Sequence, residues 1–259
     1  MSDKIKANSY VLVYLNNRKS WLIKVRKNDQ LHTHSGFIDH NDIIGKEFGT
    51  FVESNLDSQF VLLEPLIEDF VMKSIRPTQV VYPKDLGLIA AVTGMSPGKN
   101  IIETGTGSGT LTCFAANLIK PRGRIYSYEC RKEFLEKAKK NIEKAGLLKY
   151  VHLIEKDAST GIEQTDMDIA LLDVGDPWNI IPEMYKALKG GGTIASISPT
   201  YNQVEKVVSE LERHNFVKIN TFEILARNLE VRSGKTRPAM RMVGHTAYLT
   251  FGRKTFGKI

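Results

Sequence analysis

The chain has 259 residues, 42% of them hydrophobic, enough for an ordinary buried core in one large domain or a catalytic domain with a small companion. No apolar run approaches the ~20 residues needed to span a bilayer, the opening MSDKIKANSY lacks the apolar stretch of a secretion signal, and Cys113 and Cys130 stand outside any CxxC pattern, so a membrane protein, a zinc site and a disulfide framework are all disfavoured and a reducing cytoplasm is expected. Thirty-six Lys and Arg against 29 Asp and Glu leave a net charge of +7, which favours a polyanionic partner without proving one.

In chain order, the first ~65 residues carry short β-rich runs. These are Tyr10 to Leu15, Trp21 to Val25, Phe37 to Ile38 and Gly49 to Val52, separated by turn residues such as Asn16-Asn17 and Asn28-Asp29. Strands so short and so spaced predict a small barrel or curled sheet. Phe60 to Ser74 has apolar residues at helical spacing (Val61, Leu62, Leu66, Ile67, Phe70, Val71) and predicts a connecting helix, although Pro65 interrupts it. From Asp85, read as a helix cap, helices and strands alternate. Asn100 to Glu103, Arg124 to Glu129, Val151 to Ile154, Asp168 to Asp173 and Thr193 to Ser198 predict strands. Gly109 to Ile119, Arg131 to Ala145, Pro177 to Leu188 and Asn202 to His214 predict helices, and Val217 to Leu225 and Thr246 to Phe251 two last strands. Repeated βα units mean a mostly parallel sheet with helices on both faces.

The strand Ile101-Ile102 feeds the loop Glu103-Thr-Gly-Thr-Gly-Ser-Gly109. A glycine-rich strand-to-helix turn lets a ligand approach backbone closely. A dinucleotide loop has G-x-G-x-x-G so that pyrophosphate rests on the helix N-terminus. Here Gly105, Gly107 and Gly109 follow at every second position, with an acid two residues ahead of the first. That acid opposes a pyrophosphate but suits the cationic methionine moiety of S-adenosylmethionine. Glu129 ends the next strand about 20 residues on, where a carboxylate can accept from two ribose hydroxyls. It also fits a plain helix N-terminal acid before Arg131.

Five segments stand out together: Gln79-Val-Val-Tyr-Pro-Lys-Asp85, the glycine loop, Tyr128-Glu129, Leu172-Asp173-Val-Gly-Asp-Pro-Trp178 and Val243-Gly-His-Thr-Ala-Tyr-Leu249. In this order they resemble the TrmI family of tRNA (adenine-N1)-methyltransferases, which act in the T-loop at position 58 and in archaeal members also at 57. His32-Thr-His34-Ser-Gly36 is similar to the histidine–glycine turn of the family's N-terminal domain. The resemblance implies an α/β fold, a Rossmann-like class I methyltransferase with a mostly parallel seven-strand sheet. It implies a small β-rich N-terminal domain at 1–65, a methyltransferase domain at 66–259, and a homotetramer acting on tRNA. It implies a cofactor set of Gln79, Glu103, Gly105, Thr106, Gly107, Ser108, Gly109, Leu111, Glu129, Asp157 and Asp173. Asp157 would lie near the adenine amine, and equally fits an N-cap. Asp173 would be the catalytic acid, with Tyr82 beside it. Some members carry a tyrosine in the fifth-strand segment; the matching position here is Ile197, with Tyr201 four residues later.

Adenine N1 already holds an in-plane lone pair, so the site needs orientation and charge stabilisation and no general base. Asp173 can accept from the N6 amine and offset the charge that develops on the ring, and it also fits a plain helix N-cap before Pro177-Trp178. Asp176 fits a helix cap before Pro177. Tyr82 fits either the pocket or the core, and Gln79 either the cofactor or the surface. Trp178 and Pro199 fit pocket walls, and His245 fits a structural role better than a catalytic one. Arg227, Arg232, Lys235, Arg237 and Arg241, with Lys24, Arg26 and Lys27, are candidate phosphate contacts or a solvated charged surface. The run Lys132, Lys137, Lys139, Lys140, Lys144 alternates with glutamates and reads as an exposed helix face. Competing readings are a methyltransferase for protein (isoaspartyl type) or small molecules, and a non-catalytic tRNA-binding subunit. The retained Glu103, Glu129, Asp173 and glycines weigh against the second.

Overall fold

The computed structural model describes residues 4–74 and 80–257. Two compact units divide after Lys73. In the first, β1 (Tyr10–Asn16), β2 (Lys19–Lys24), β5 (Phe51–Glu53) and β6 (Gln59–Leu63) form an antiparallel sheet in the order β2-β1-β6-β5. A hairpin of β3 (Gln30–Thr33) and β4 (Gly36–Asp39) and the short helix α1 (His40–Ile43) stand beside this sheet. Alternation along β1 and β6 sends Val11, Val13, Phe60 and Leu62 into a core with Ile5, Val25, Ile38 and Ile43.

Two expectations need correction here. Phe60 to Ser74 is a strand followed by a helix, because Leu62 and Val61 pair with β1 while Pro65 separates them from α2 (Ile67–Met72). The first unit therefore runs past residue 65: Phe70 of α2 packs edge-on against Tyr10, with ring centroids 5.5 Å apart, and Lys73 Nζ donates to the Ser20 carbonyl.

The second unit follows the alternation closely. It contains α3 (Pro83–Thr93), β7 (Asn100–Thr104), α4 (Thr110–Ile119), β8 (Arg124–Glu129), α5 (Lys132–Lys144), β9 (Val151–Glu155), β10 (Met167–Leu172), α6 (Ile181–Ala187), β11 (Leu188–Ser198), α7 (Tyr201–Arg213), β12 (Phe216–Glu223), the two-residue strands β13 (Leu229–Glu230) and β14 (Arg237–Pro238), and β15 (Tyr248–Lys254). The seven-stranded sheet has the order β12-β15-β11-β10-β7-β8-β9; β15 is antiparallel to both neighbours and the other pairs are parallel. The central strands β7 and β10 are buried on both faces, as near-continuous apolar runs require. In α5 the buried residues are Ala138, Asn141 and Ile142, and most of its lysines stand outward.

Helix α3 starts at Pro83, so Asp85 is not its cap: Pro at the first helical position is preorganised, and Tyr82 before it is extended. The expected helix from Pro177 to Leu188 is broken into a 3₁₀ turn, Pro177–Asn179, and α6, since Pro182 supplies no N–H to continue the ladder. The β13–β14 pair was not legible in the sequence. No helix among the described residues is long and apolar enough to cross a membrane.

Candidate active site

From β7 the chain winds through β8 and β9 to one edge, then returns to β10 and β11 on the other side of β7. Loops leaving the carboxyl ends of strands that wind apart leave a crevice. A cleft of about 500 Å³ lies there. Thr104, Gly105 and Gly107 line it after β7, Glu129, Cys130 and Arg131 after β8, Lys156 and Asp157 after β9, and Asp173, Val174 and Gly175 after β10. Ile197, Pro199 and Gln203 close the far side.

The glycine loop is shaped by contact with the Asp173 loop. Asp173 N donates to the Thr104 carbonyl at 2.9 Å. At Gly105, φ is +85°, and a Cβ would sit 1.9 Å from the Asp173 carbonyl oxygen, so no side chain fits. Gly107 N donates to Glu129 Oε2 at 3.1 Å, while Arg131 donates to Glu129 Oε1 from its backbone N and its Nε, each at 3.1 Å. Glu129 is thus fixed at the cleft wall. Asp157 caps the turn Ala158–Thr160 by accepting from Ser159 N and Oγ, which holds its carboxyl below the usual range.

Not every expected residue reaches the cleft. Glu103 is fully buried, with Oε2 accepting from Thr112 Oγ1 and Ser127 Oγ, both at 2.6 Å, and Oε1 without a partner. Burial, more than any neighbouring charge, pushes its carboxyl up to about 7. It sits beneath the loop and does not line the cleft. Thr106 bonds Ser127, Ser108 bonds Thr110, and Leu111 packs in the core, so the loop offers backbone and not these side chains. Gly109 is the left-handed cap of α4. Tyr82 is half-buried and does not line the cleft, nor does Trp178; Gln79 lies outside the described residues. Asp176 precedes the 3₁₀ turn as expected, but its side chain makes no cap bond.

Asp173 is partly buried at the cleft floor. Burial first, and the Glu129 carboxylate second, push its carboxyl up to about 6. The far wall carries Ile197, while Tyr201 opens α7 and is 68% exposed outside the cleft, so it does not fill the aromatic place beside Ile197. The segments Tyr-Pro-Lys-Asp and Gly-His-Thr-Ala, far apart in sequence, meet. Thr246 Oγ1 donates to Asp85 Oδ2 at 2.7 Å, and Lys84 Nζ bonds both Asp85 and Thr246. His245 spans Glu223 Oε1 at 2.8 Å and the Pro199 carbonyl at 2.9 Å, two acceptors that raise its pKa and suit a structural imidazolium. Cys130, Arg131, Lys156 and Gln203 were not anticipated; the only signal available was their position just after predicted strand ends or beside them.

The chain matches the family model described as tRNA methyltransferase complex GCD14 subunit over residues 59–237. It is 32% identical to the tRNA (adenine(57)-N(1)/adenine(58)-N(1))-methyltransferase TrmI of Methanocaldococcus jannaschii, with 95% of each chain covered. A crystal structure described as a SAM-dependent O-methyltransferase from Thermotoga maritima is similar at a TM-score of 0.94 and 36% identity, covering 99% of this chain and 97% of that one. The tRNA (m1A58) methyltransferase TrmI of Aquifex aeolicus is similar at a TM-score of 0.86 and 30% identity, covering 98% and 100%.

Proposed function

We propose that this chain, which belongs to the GCD14 family of tRNA methyltransferase subunits, transfers a methyl group from S-adenosylmethionine to N1 of adenosine 58 in the tRNA T-loop. Adenosine 57 is a second candidate target, since the Methanocaldococcus relative's name carries both positions. The observation that carries the reading is Asp173, set at the topological switch point directly against the glycine loop.

The cleft suits that donor on its own geometry. A Cβ at position 105 would close the approach to the backbone. Glu129 is already held by Gly107 on Oε2 and by two Arg131 donors on Oε1, which leaves a lone pair on Oε2 for a ribose hydroxyl. Three carboxylates, Glu129, Asp157 and Asp173, line the cleft against two cations, Arg131 and Lys156, so acid outnumbers base there in a chain whose net charge is +7. S-adenosylmethionine supplies an electrophilic methyl group on a positive sulfur. Gly105 and Gly107 would hold it through backbone, Glu129 through the ribose, and Asp157 near the adenine amine. Asp173 accepts from the N6 amine of the target adenine, orients N1, and offsets the positive charge that the ring gains.

The target is extruded from the tRNA fold to reach this depth. Arg227, Arg232, Lys235, Arg237 and Arg241 are exposed and supply phosphate contacts. A homotetramer working in the cytoplasm completes the reading, and mass measurement in solution should return four times the 29.1 kDa of one chain.

The decisive experiment supplies labelled S-adenosylmethionine and an unmodified tRNA transcript, and locates the product by nucleoside mass spectrometry. N1-methyladenosine that disappears in Asp173→Ala is the expected result. A transcript altered at adenosine 58 separates the two positions. Absence of methylated adenosine while the cofactor binds would overturn the tRNA reading and turn attention to oxygen or protein acceptors.

A further inference from the structure

Beside the cleft, three rings form a cluster that the chemistry above does not use. Tyr201 and Tyr248 lie with centroids 4.7 Å apart and planes 26° from parallel, and His245 packs on Tyr248 at 4.6 Å. Tyr248 is therefore the middle ring and Tyr201 an outer one. Tyr201 is 68% exposed, at the first residue of a helix whose inward face is apolar. The cluster is held rigidly. His245 is bonded at both nitrogens, to Glu223 and to the Pro199 carbonyl, which fixes the ring against which Tyr248 packs. It adjoins the cleft through its chain neighbours, because Pro199 and Gln203, which flank Tyr201, both line the far wall. A fixed aromatic with an open face beside an acceptor site is a stacking surface, and every nucleobase offers it a π-face.

We propose that Tyr201 is a binding residue that stacks an unpaired nucleobase flanking the methylated adenosine, so holding the opened RNA strand at the cleft mouth. The inference rests on the tRNA reading above. Stacking of one base on one aromatic is worth about 1–3 kcal/mol, which corresponds to roughly 5- to 150-fold in affinity.

The test uses the full chain, an unmodified tRNA transcript, and the same transcript with 2-aminopurine at the nucleotides on either side of the target. In wild type, binding should quench 2-aminopurine at one flanking position. Tyr201→Ala should abolish that quenching and raise Kd and KM for tRNA about tenfold, while S-adenosylmethionine affinity and kcat stay within about twofold. Tyr201→Phe and Tyr201→Trp keep a ring and should restore both. If wild type methylates tRNA but Tyr201→Ala binds it equally well, or if Tyr201→Phe is as impaired as Tyr201→Ala, the stacking role is overturned and the tRNA reading survives. If wild type does not methylate tRNA at all, the broader reading fails first, and the two failures are distinct.

Discussion

Asp173 sets the pH behaviour of the site. With its carboxyl raised to about 6, it takes up a proton as pH falls through that value, and in the role proposed for it would lose its attraction for a cation and for the adenine amine. The affinity for S-adenosylmethionine and kcat/KM should both decline below pH ~6, by up to about tenfold per pH unit. In Asp173→Asn this acid limb should vanish and kcat should fall roughly 10²- to 10³-fold, readable in a pH–rate profile. Glu103 produces a different signature, in stability. Its carboxyl is raised from 4.5 to about 7 in the folded chain, so its contribution is complete below pH ~4.5 and is lost as pH rises through 7, up to about 3 kcal/mol in all. Thermal melts of Glu103→Gln should show a flatter pH dependence between 5 and 8 than wild type. Gly105 admits no such tuning. Alanine there meets a carbonyl oxygen at 1.9 Å with φ at +85°, and Gly105→Ala should cost well over about 1 kcal/mol and abolish cofactor binding by calorimetry.

Among the elements, the contact between Thr246 and Asp85 joins the start of α3 to the approach of β15. Thr246→Val removes the hydroxyl and leaves a buried carboxylate oxygen unsatisfied, which should cost about 1–3 kcal/mol in denaturant titration. This contact also marks the limit of reading by sequence. Both segments were recognisable one by one, yet nothing local states that they touch, because their hydrogen bonds close across more than 150 residues of chain. The strands of the parallel sheet were legible because β7, β8 and β10 carry short apolar stretches, such as Ile101-Ile102 and Ile169 to Leu172, bounded by turns. Phe60 to Ser74 misled because Val61, Leu62 and Leu66 suit a helical stripe as well as a strand, and only pairing to β1 decides between them. In the site, Glu129 and Asp173 were legible as acids at strand ends. The burial of Glu103 was not, since the hydroxyls that hold it come from Thr112 on α4 and Ser127 on β8.

For the whole molecule, the exposed segment between β12 and β15 is the basic one, with five Arg and Lys against Glu230, whereas the cleft mixes three carboxylates with Arg131 and Lys156. Binding of tRNA should weaken steeply with salt. Arg232→Ala with Lys235→Ala should lower the slope of log K against log salt by roughly 1–2, because each lost phosphate contact releases fewer counterions. The β12–β15 region has another property, which follows from strand order. β15 is late in the chain yet sits between β12 and β11, and among the described residues it is the only sheet partner of β12. During synthesis β11 therefore presents an unpaired edge until residues 248–254 emerge, and β12 waits with it. His245 and Thr246, which tie the acceptor side to Pro199, Glu223 and Asp85, arrive in the same stretch. The wall built from β7 and β8 can thus take shape on a nascent chain while the wall beside β11 waits for β15, so the cleft is completed only after residues 248–254 have joined the sheet.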